Sequence, residues 1–536
     1  MRQSYLKNAA LLTGADVVLR LAGLGLRIWL ANALGGEGMG LYQLVLAVYS
    51  LFVTLATAGV SVAATRLMAE ELSTPEHSGS ARGMLRRLLA AGLALGFAAA
   101  AAQLATAGLA AKWWLGDVRA AGALQASALG MPWMAVSAVL RGFFLARRRV
   151  TPNVLSQLAE QAVRIALVVL ALTRTAGADV GLRCTLVLAS TAASEAVSSV
   201  LMLLFYRQEA RRCFAGQKAV RPADPGRRLW DILWPVEGGR ALASALHTAE
   251  NMLVPACLAV YLAGAGGRSA ALEQYGELKG MALPLLTFPF GLLGSLSVLL
   301  MPEITQAHIL GQTKRLNALL DRMLRLTGYF SALAGALFWV WGRPAAQLLY
   351  QSADAGFYLE TLAPAMPLMY LESMVDGAMK GVGEQKAAFR YSVWDSILRI
   401  AGVVLLLPRF GMKGFLAVIL LSSLYTCTAN TGRLLFSSGT QHAFQRWLGA
   451  PLLAALPAAG AGMALRSLLA DGLEGSLPLQ LAALAAGGTA TALVFLLAAW
   501  PMGLGEEVRA LWKRHKPSSS KNRKIKEKSK FSGHSR

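Results

Sequence analysis

At 55% hydrophobic and only 15% charged residues over 536 positions, with a mean hydropathy of +0.48, this chain is too apolar for a soluble protein, where about 25% of residues carry charge. Its net charge of +23 does not point to nucleic acid, because the excess Lys and Arg lie in short connections and one tail. The four cysteines, Cys184, Cys213, Cys257 and Cys427, are too scattered for a disulfide framework or a metal site, and no metal is expected.

The first apolar stretch, AALLTGADVVLRLAGLGLRIWLANAL at 9–34, is long enough to cross a bilayer as a helix, yet it contains Asp16, Arg20 and Arg27. At 3.6 residues per turn these three fall within about 40° of one another, on one stripe. A charge at membrane depth costs about 2.5–3.5 kcal/mol on insertion scales, so such groups face a partner or a water-filled cavity. Asp16 and Arg20, four apart, can neutralise each other, whereas Arg27 has no acid on its own helix. Length and internal charge also set this stretch apart from a cleavable signal peptide.

Further spans are predicted at 41–68, 84–108, 122–146, 154–174, 182–206, 233–262, 275–302, 326–349, 359–382, 388–408, 412–436, 450–470 and 480–502, fourteen in all. The fold class is therefore an all-α polytopic membrane protein. Arg82, Arg86 and Arg87 follow span 2, Arg147, Arg148 and Arg149 follow span 4, and Lys314, Arg315, Arg322 and Arg325 follow span 8. The longest connection, 207–232, is rich in Arg, as is the tail from 509 onward, whereas 35–40 and 350–358 hold neither Lys nor Arg. By the positive-inside rule both termini are cytoplasmic and the protein is multi-pass in the plasma membrane. The tail is low in apolar residues and reads as disordered, either touching anionic head groups or only solubilising the chain.

The chain repeats itself. Residues 141–174 overlie 376–409, with Glu160 on Asp395 and Arg164-Ile165-Ala166 on Arg399-Ile400-Ala401. Residues 42–70 overlie 275–303, with Tyr42, Thr54 and Glu70 on Tyr275, Thr287 and Glu303. A shift of six spans preserves orientation, so the halves are parallel repeats. The predicted organisation is a first lobe at 1–215, a basic cytoplasmic linker at 216–232, a second lobe at 233–440, two added helices at 441–505 and a basic tail at 506–536.

Three segments, RLAGLGLRIWLANALGGEGMGLYQL (20–44), VLRGFFLARRRVTPNVLSQLAEQAVRIALV (139–168) and QYGELKGMALPLLTFPFGLLGSLSVLLMPEI (274–304), carry a family resemblance. Together they resemble the stage V sporulation protein B-like, polysaccharide transporter branch of the multidrug/oligosaccharidyl-lipid/polysaccharide exporter superfamily. The resemblance implies two six-helix lobes around a central cavity and alternating access. It also implies a substrate class: undecaprenyl-linked sugars moved outward, as by polysaccharide transporters and lipid II flippases, with a link to spore cortex peptidoglycan. The expected partners are a lipid-linked saccharide and membrane lipids, with pathway glycosyltransferases as candidates. Nucleic acid is not a partner, and the chain is expected to act as a monomer.

A pyrophosphate needs cations at membrane depth, and the forked donors of Arg suit phosphate oxygens. Arg20 and Arg27 are the foremost candidates, followed by Arg66 and Arg141, for which snorkelling to the interface is an equal reading. Glu160 with Arg164, and Asp395 with Arg399, are spaced i, i+4 and read as structural ion pairs or lining, together with Asp16. The second lobe is richer in acids: Glu237, His247, Glu250, Asn251, Glu372 and Asp376 could bind a coupling Na⁺ or proton, or could be mutually satisfied pairs. No other cofactor is expected. Prolines 284, 289, 302, 364 and 367 mark spans 8 and 10 as broken, as static kinks or moving parts.

No P-loop, GxSxG or HExxH pattern occurs, and the connections are short, so an enzyme is not expected. A membrane glycosyltransferase or polymerase is the weaker alternative, and an ion-coupled multidrug exporter the stronger one.

Overall fold

The computed structural model describes residues 2–73, 78–213, 224–264, 266–441, 443–506 and 509. Every regular element among them is helical, and each predicted span finds its helix or broken helix. Spans 1 and 2 run together as Arg2–Ser73, interrupted at Gly35 (φ 73°, ψ 178°). Arg27 lines a cavity with His247, and Thr54 donates to Ser244 one turn away. On one straight helix Arg27 and Thr54 would lie about 40 Å apart, so the chain reverses at Gly35. Spans 11 and 12 share Gln385–Ser438 and reverse at Gly411 (φ 57°, ψ −142°), which brings Gly402 against Val418 and Gly414 under the Leu406 carbonyl. Positive φ at both breaks is why glycine stands there.

Proline and π turns break the polar spans. Span 4 is Ala120–Ala128 and Met131–Ala146, bent by 41°. Span 8 is Gly267–Gly276, a π turn over Glu277–Ala282, then Leu283–Thr287 and Phe290–Ile309. Span 10 is Ala353–Leu362, a 3₁₀ turn at Ala363–Ala365 holding Pro364, then Met366–Gly381. Among the described residues eight helices, or nine counting the bent pair, are long and apolar enough to cross a membrane, and they account for every predicted span except 7, 8 and 10. Those three are too polar or too broken to qualify, and they contribute cavity walls.

Span 7, Pro225–Tyr261, begins earlier than the apolar run suggests, so the helix takes up part of the predicted linker. Its first turns pack Leu229 and Leu233 into an apolar cluster of the first lobe with Val60, Ala64 and Phe143. The remainder of the linker, and almost all of the predicted tail, lies outside the described residues. The lobes meet again at the other end, backbone to backbone. Gly36 and Gly40 face Leu272 and Gly276 so closely that a Cβ on Gly276 would sit 2.1 Å from the Gly36 carbonyl oxygen. Nearby, burial of Asp117 works against its ionisation, but hydrogen bonds from Arg119 outweigh it and hold the carboxyl below its usual range.

The last two spans, Ala450–Leu468 and Leu477–Ala499, dock on span 9, Thr313–Tyr350. Trp447 Nε1 donates to Asp321 (2.8 Å), Tyr329 to the Met502 carbonyl (2.6 Å), Trp341 Nε1 to Thr491 (3.1 Å) and Arg466 to the Val340 carbonyl (3.0 Å).

Candidate substrate cavity

Two polar cavities lie where the lobes face each other. The first, about 540 Å³, is walled by Thr54, Thr57 and Ser61 of span 2, Ser137 and Arg141 of span 4, Glu195 of span 6 and Arg240 of span 7. Its charges are tied together. Arg141 Nη2 meets Glu160 Oε2 at 2.9 Å and Ser198 Oγ at 3.3 Å. Arg164 Nη2 is shared by Glu160 Oε1 (2.7 Å) and Glu195 Oε1 (3.4 Å). Spacing of i, i+4 on span 5 puts Glu160 and Arg164 on one face, and the neighbouring spans complete the network.

The second cavity, about 440 Å³, gathers Arg27 of span 1 with His247, Lys279, Glu372, Asp395 and Arg399 of the second lobe. Here the predicted pair does not form. Arg399 turns from Asp395 to Glu250 on span 7, which accepts from both Nε (3.0 Å) and Nη2 and is 3% exposed. Asp395 instead accepts from Ser422 Oγ at 2.6 Å. A bidentate, forked contact outcompetes the single-point geometry available to an acid one turn away on the same helix. Glu250 is therefore a buried ion-pair partner here, not an open ligand for a coupling ion.

The other predicted site residues separate by environment. Arg66 lies outside both cavities: its guanidinium holds Glu70 (3.0 Å) and its side chain is 66% exposed. Arg228 of span 7 reaches the same corner, bonding Glu71 (2.6 Å) and Glu70 (3.0 Å), and so ties the lobes together. Asp16 and Arg20 are exposed and form no ion pair with each other among the described residues, and the Arg20 guanidinium packs on Gly291 of span 8. Asp376 is held by Lys380 at 2.5 Å. Glu237 accepts from the Gly59 N–H, and Asn251 donates to the His247 carbonyl (2.9 Å) and accepts from Tyr275 (3.1 Å). Glu372 and His247 remain beside the second cavity.

Two cations on the polar spans 7 and 8 that the sequence does not mark as substrate candidates face these cavities, Arg240 and Lys279. Arg20, Arg27, Arg240 and Lys279 make no hydrogen bond or ion pair among the described residues, and the Lys279 ammonium lies 5.8 Å from the Phe415 ring. The expected division, with basic groups in the first lobe and acids in the second, also fails in space. Arg27 belongs to the first lobe in sequence yet stands among second-lobe acids.

Comparison with known proteins now bears on this arrangement. Residues 5–252 match the family model described as polysaccharide biosynthesis protein. That match spans the first lobe and most of span 7, a little under half of the chain. The chain is also similar to stage V sporulation protein B of Bacillus subtilis (strain 168), 26% identical over 420 residues, 77% of this chain and 80% of the relative. Sporulation protein YkvU of the same organism is 25% identical over 414 residues, covering 74% and 89%. Among solved structures, the lipid II flippase MurJ in an inward closed conformation superposes with a TM-score of 0.69 at 12% identity, over 91% of this chain and 98% of that one. An inward-facing multidrug resistance MATE family transporter of the MOP superfamily gives 0.62 at 13%, over 80% and 100%. At these identities the structural matches establish the fold: a multi-pass helical membrane protein built like these transporters.

Proposed function

We propose that this protein flips a polyprenyl-pyrophosphate-linked saccharide, lipid II or a polysaccharide precursor, from the cytoplasmic to the outer leaflet of the cell membrane by alternating access. Both termini lie in the cytoplasm on this reading. The observation that carries it is a set of cations that form no hydrogen bond or ion pair among the described residues, the half-buried Arg27 and Lys279 in one cavity and the exposed Arg240 in the other, beside arginines already committed to glutamates. A cation partly withdrawn from water without a paired counter-charge is disfavoured, so an anion entering the cavity gains by supplying one. A pyrophosphate supplies it and takes the forked donors of Arg. The names of the relatives, a sporulation protein and a lipid II flippase, support the same substrate class.

An exporter of organic cations is the competing reading. It is disfavoured because Arg27 and Lys279 repel a cation in the very cavity that holds Glu372 and Asp395. The deciding experiment is flipping of a fluorescent undecaprenyl-pyrophosphate sugar in liposomes. The parent transports it, and Arg27→Ala and Lys279→Ala each lose at least about tenfold, the equivalent of one charge-assisted contact. Parent-like rates in both variants would overturn the assignment.

A further inference from the structure

A third cavity, of about 400 Å³, lies away from the lobe interface, at the arginine-rich end of spans 4, 5 and 6. Its rim is Arg148, Arg149 and Arg212, and its wall is Phe144, Val150, Leu155 and Phe205. Leu155 is 47% exposed, and Phe144 and Val150 are buried. Among the described residues lining it the acid is Glu209, which is buried and already spanned by Arg147 (2.9 Å) and Arg149 (2.8 Å). The cleft thus has a surplus of positive charge directly above an apolar wall. Phe144 and Phe205 also pack in the first-lobe core, whereas the arginine rim and Leu155 belong to neither substrate cavity.

We infer that this cleft binds the phosphate head group of an anionic phospholipid from the leaflet on the arginine-rich side, with the first carbons of an acyl chain lying on Leu155 and Phe205. Charge complementarity selects the phosphate, because forked guanidinium groups match its oxygens. The apolar wall selects a lipid over a free anion, since an inorganic phosphate leaves Leu155 and Phe205 in water. Basic pockets between membrane helices at that face are the setting in which anionic head groups are held. Glu209 serves as a positioning residue: by holding Arg147 and Arg149 it fixes the basic rim without cancelling it.

The test uses the full chain in nanodiscs of phosphatidylcholine doped with a photoactivatable phosphatidylglycerol, the cross-link being mapped by peptide mass. Labelling is expected on 141–155 and on 200–212. Arg148→Ala with Arg212→Ala should weaken it by about thirtyfold, given about fivefold per surface arginine. Leu155→Ser leaves the rim charge in place and should lower labelling without abolishing it. A tenfold excess of inorganic phosphate should not compete. Labelling elsewhere only, unchanged labelling in the double arginine variant, or full competition by inorganic phosphate would each overturn the proposal; the last would make the cleft a site for a free anion. Circular dichroism melts of the variants matching the parent exclude loss of fold as the cause.

Discussion

Replacing Gly276 with Ala tests whether the lobes must touch at the end opposite the arginine clusters. The added Cβ would lie 2.1 Å from the Gly36 carbonyl oxygen and 2.4 Å from the Gly40 nitrogen, whereas ordinary contact begins at 3.4 Å. Both obstacles are backbone, so no side-chain rotation relieves them, and spans 2 and 8 must separate by about 1 Å or more. Overpacking of this kind costs about 1–3 kcal/mol, but only in the arrangement where the glycines meet. The equilibrium between arrangements should therefore move by roughly five- to 150-fold toward the one in which this end is open. Spin labels at Val118 (70% exposed) and Gln351, on a background without native cysteines, would report it by pulsed electron resonance as a longer distance population. On the proposed alternating-access cycle, flipping should fall in parallel. If the distance distributions of Gly276→Ala and the parent superimpose and flipping is equal, the backbone contact is incidental and the reasoning is wrong.

Arg228→Ala removes the tie to Glu70 and Glu71 and should shift the same labels the other way, toward closure at the labelled end. Arg399→Ala should destabilise the protein by about 3–5 kcal/mol in detergent melts, because Glu250 is left buried and unpaired, and the double variant Arg399→Ala/Glu250→Gln should recover most of that loss. Trp447→Phe should cost about 1.5–3 kcal/mol through loss of its bond to Asp321, seen as earlier proteolysis of the last two spans. Should Na⁺ or protons drive transport, Glu372→Gln should change the ion dependence in liposomes and Asp376→Asn should not, since only the former faces the cavity.

What could be read in the sequence follows from the range of the forces involved. Apolar runs gave the spans because insertion into lipid is decided segment by segment. The Glu160–Arg164 pair was legible because both partners sit on one helix. Its repeat, Asp395–Arg399, was misread because a local pairing had a distant competitor, Glu250, on span 7. The repeats explain why the two sites differ. Residue 141 overlies residue 376: Arg141 crosses to Glu160 in one lobe, whereas Asp376 is taken by Lys380 in the other. Lys279 is visible in the sequence as a cation of span 8, but its place in the cavity is not. The π turn over Glu277–Ala282 inserts extra residues per turn, so its side chain leaves the face that a 3.6-residue period assigns. Arg66 shows the converse: the sequence placed it near a span, but a nearby acid and open water at the helix end hold it out of the cavity.

The docking of the last two spans along the length of span 9 makes them part of the second lobe's body. That body then has a wider footprint in the bilayer than its six-span partner, and a wider footprint meets more viscous drag from lipid. On the proposed alternating-access cycle the narrower first lobe should do most of the turning relative to the surrounding membrane, with the other as the keel. A label at Glu506, at the end of the final span, should then move less than one on span 5.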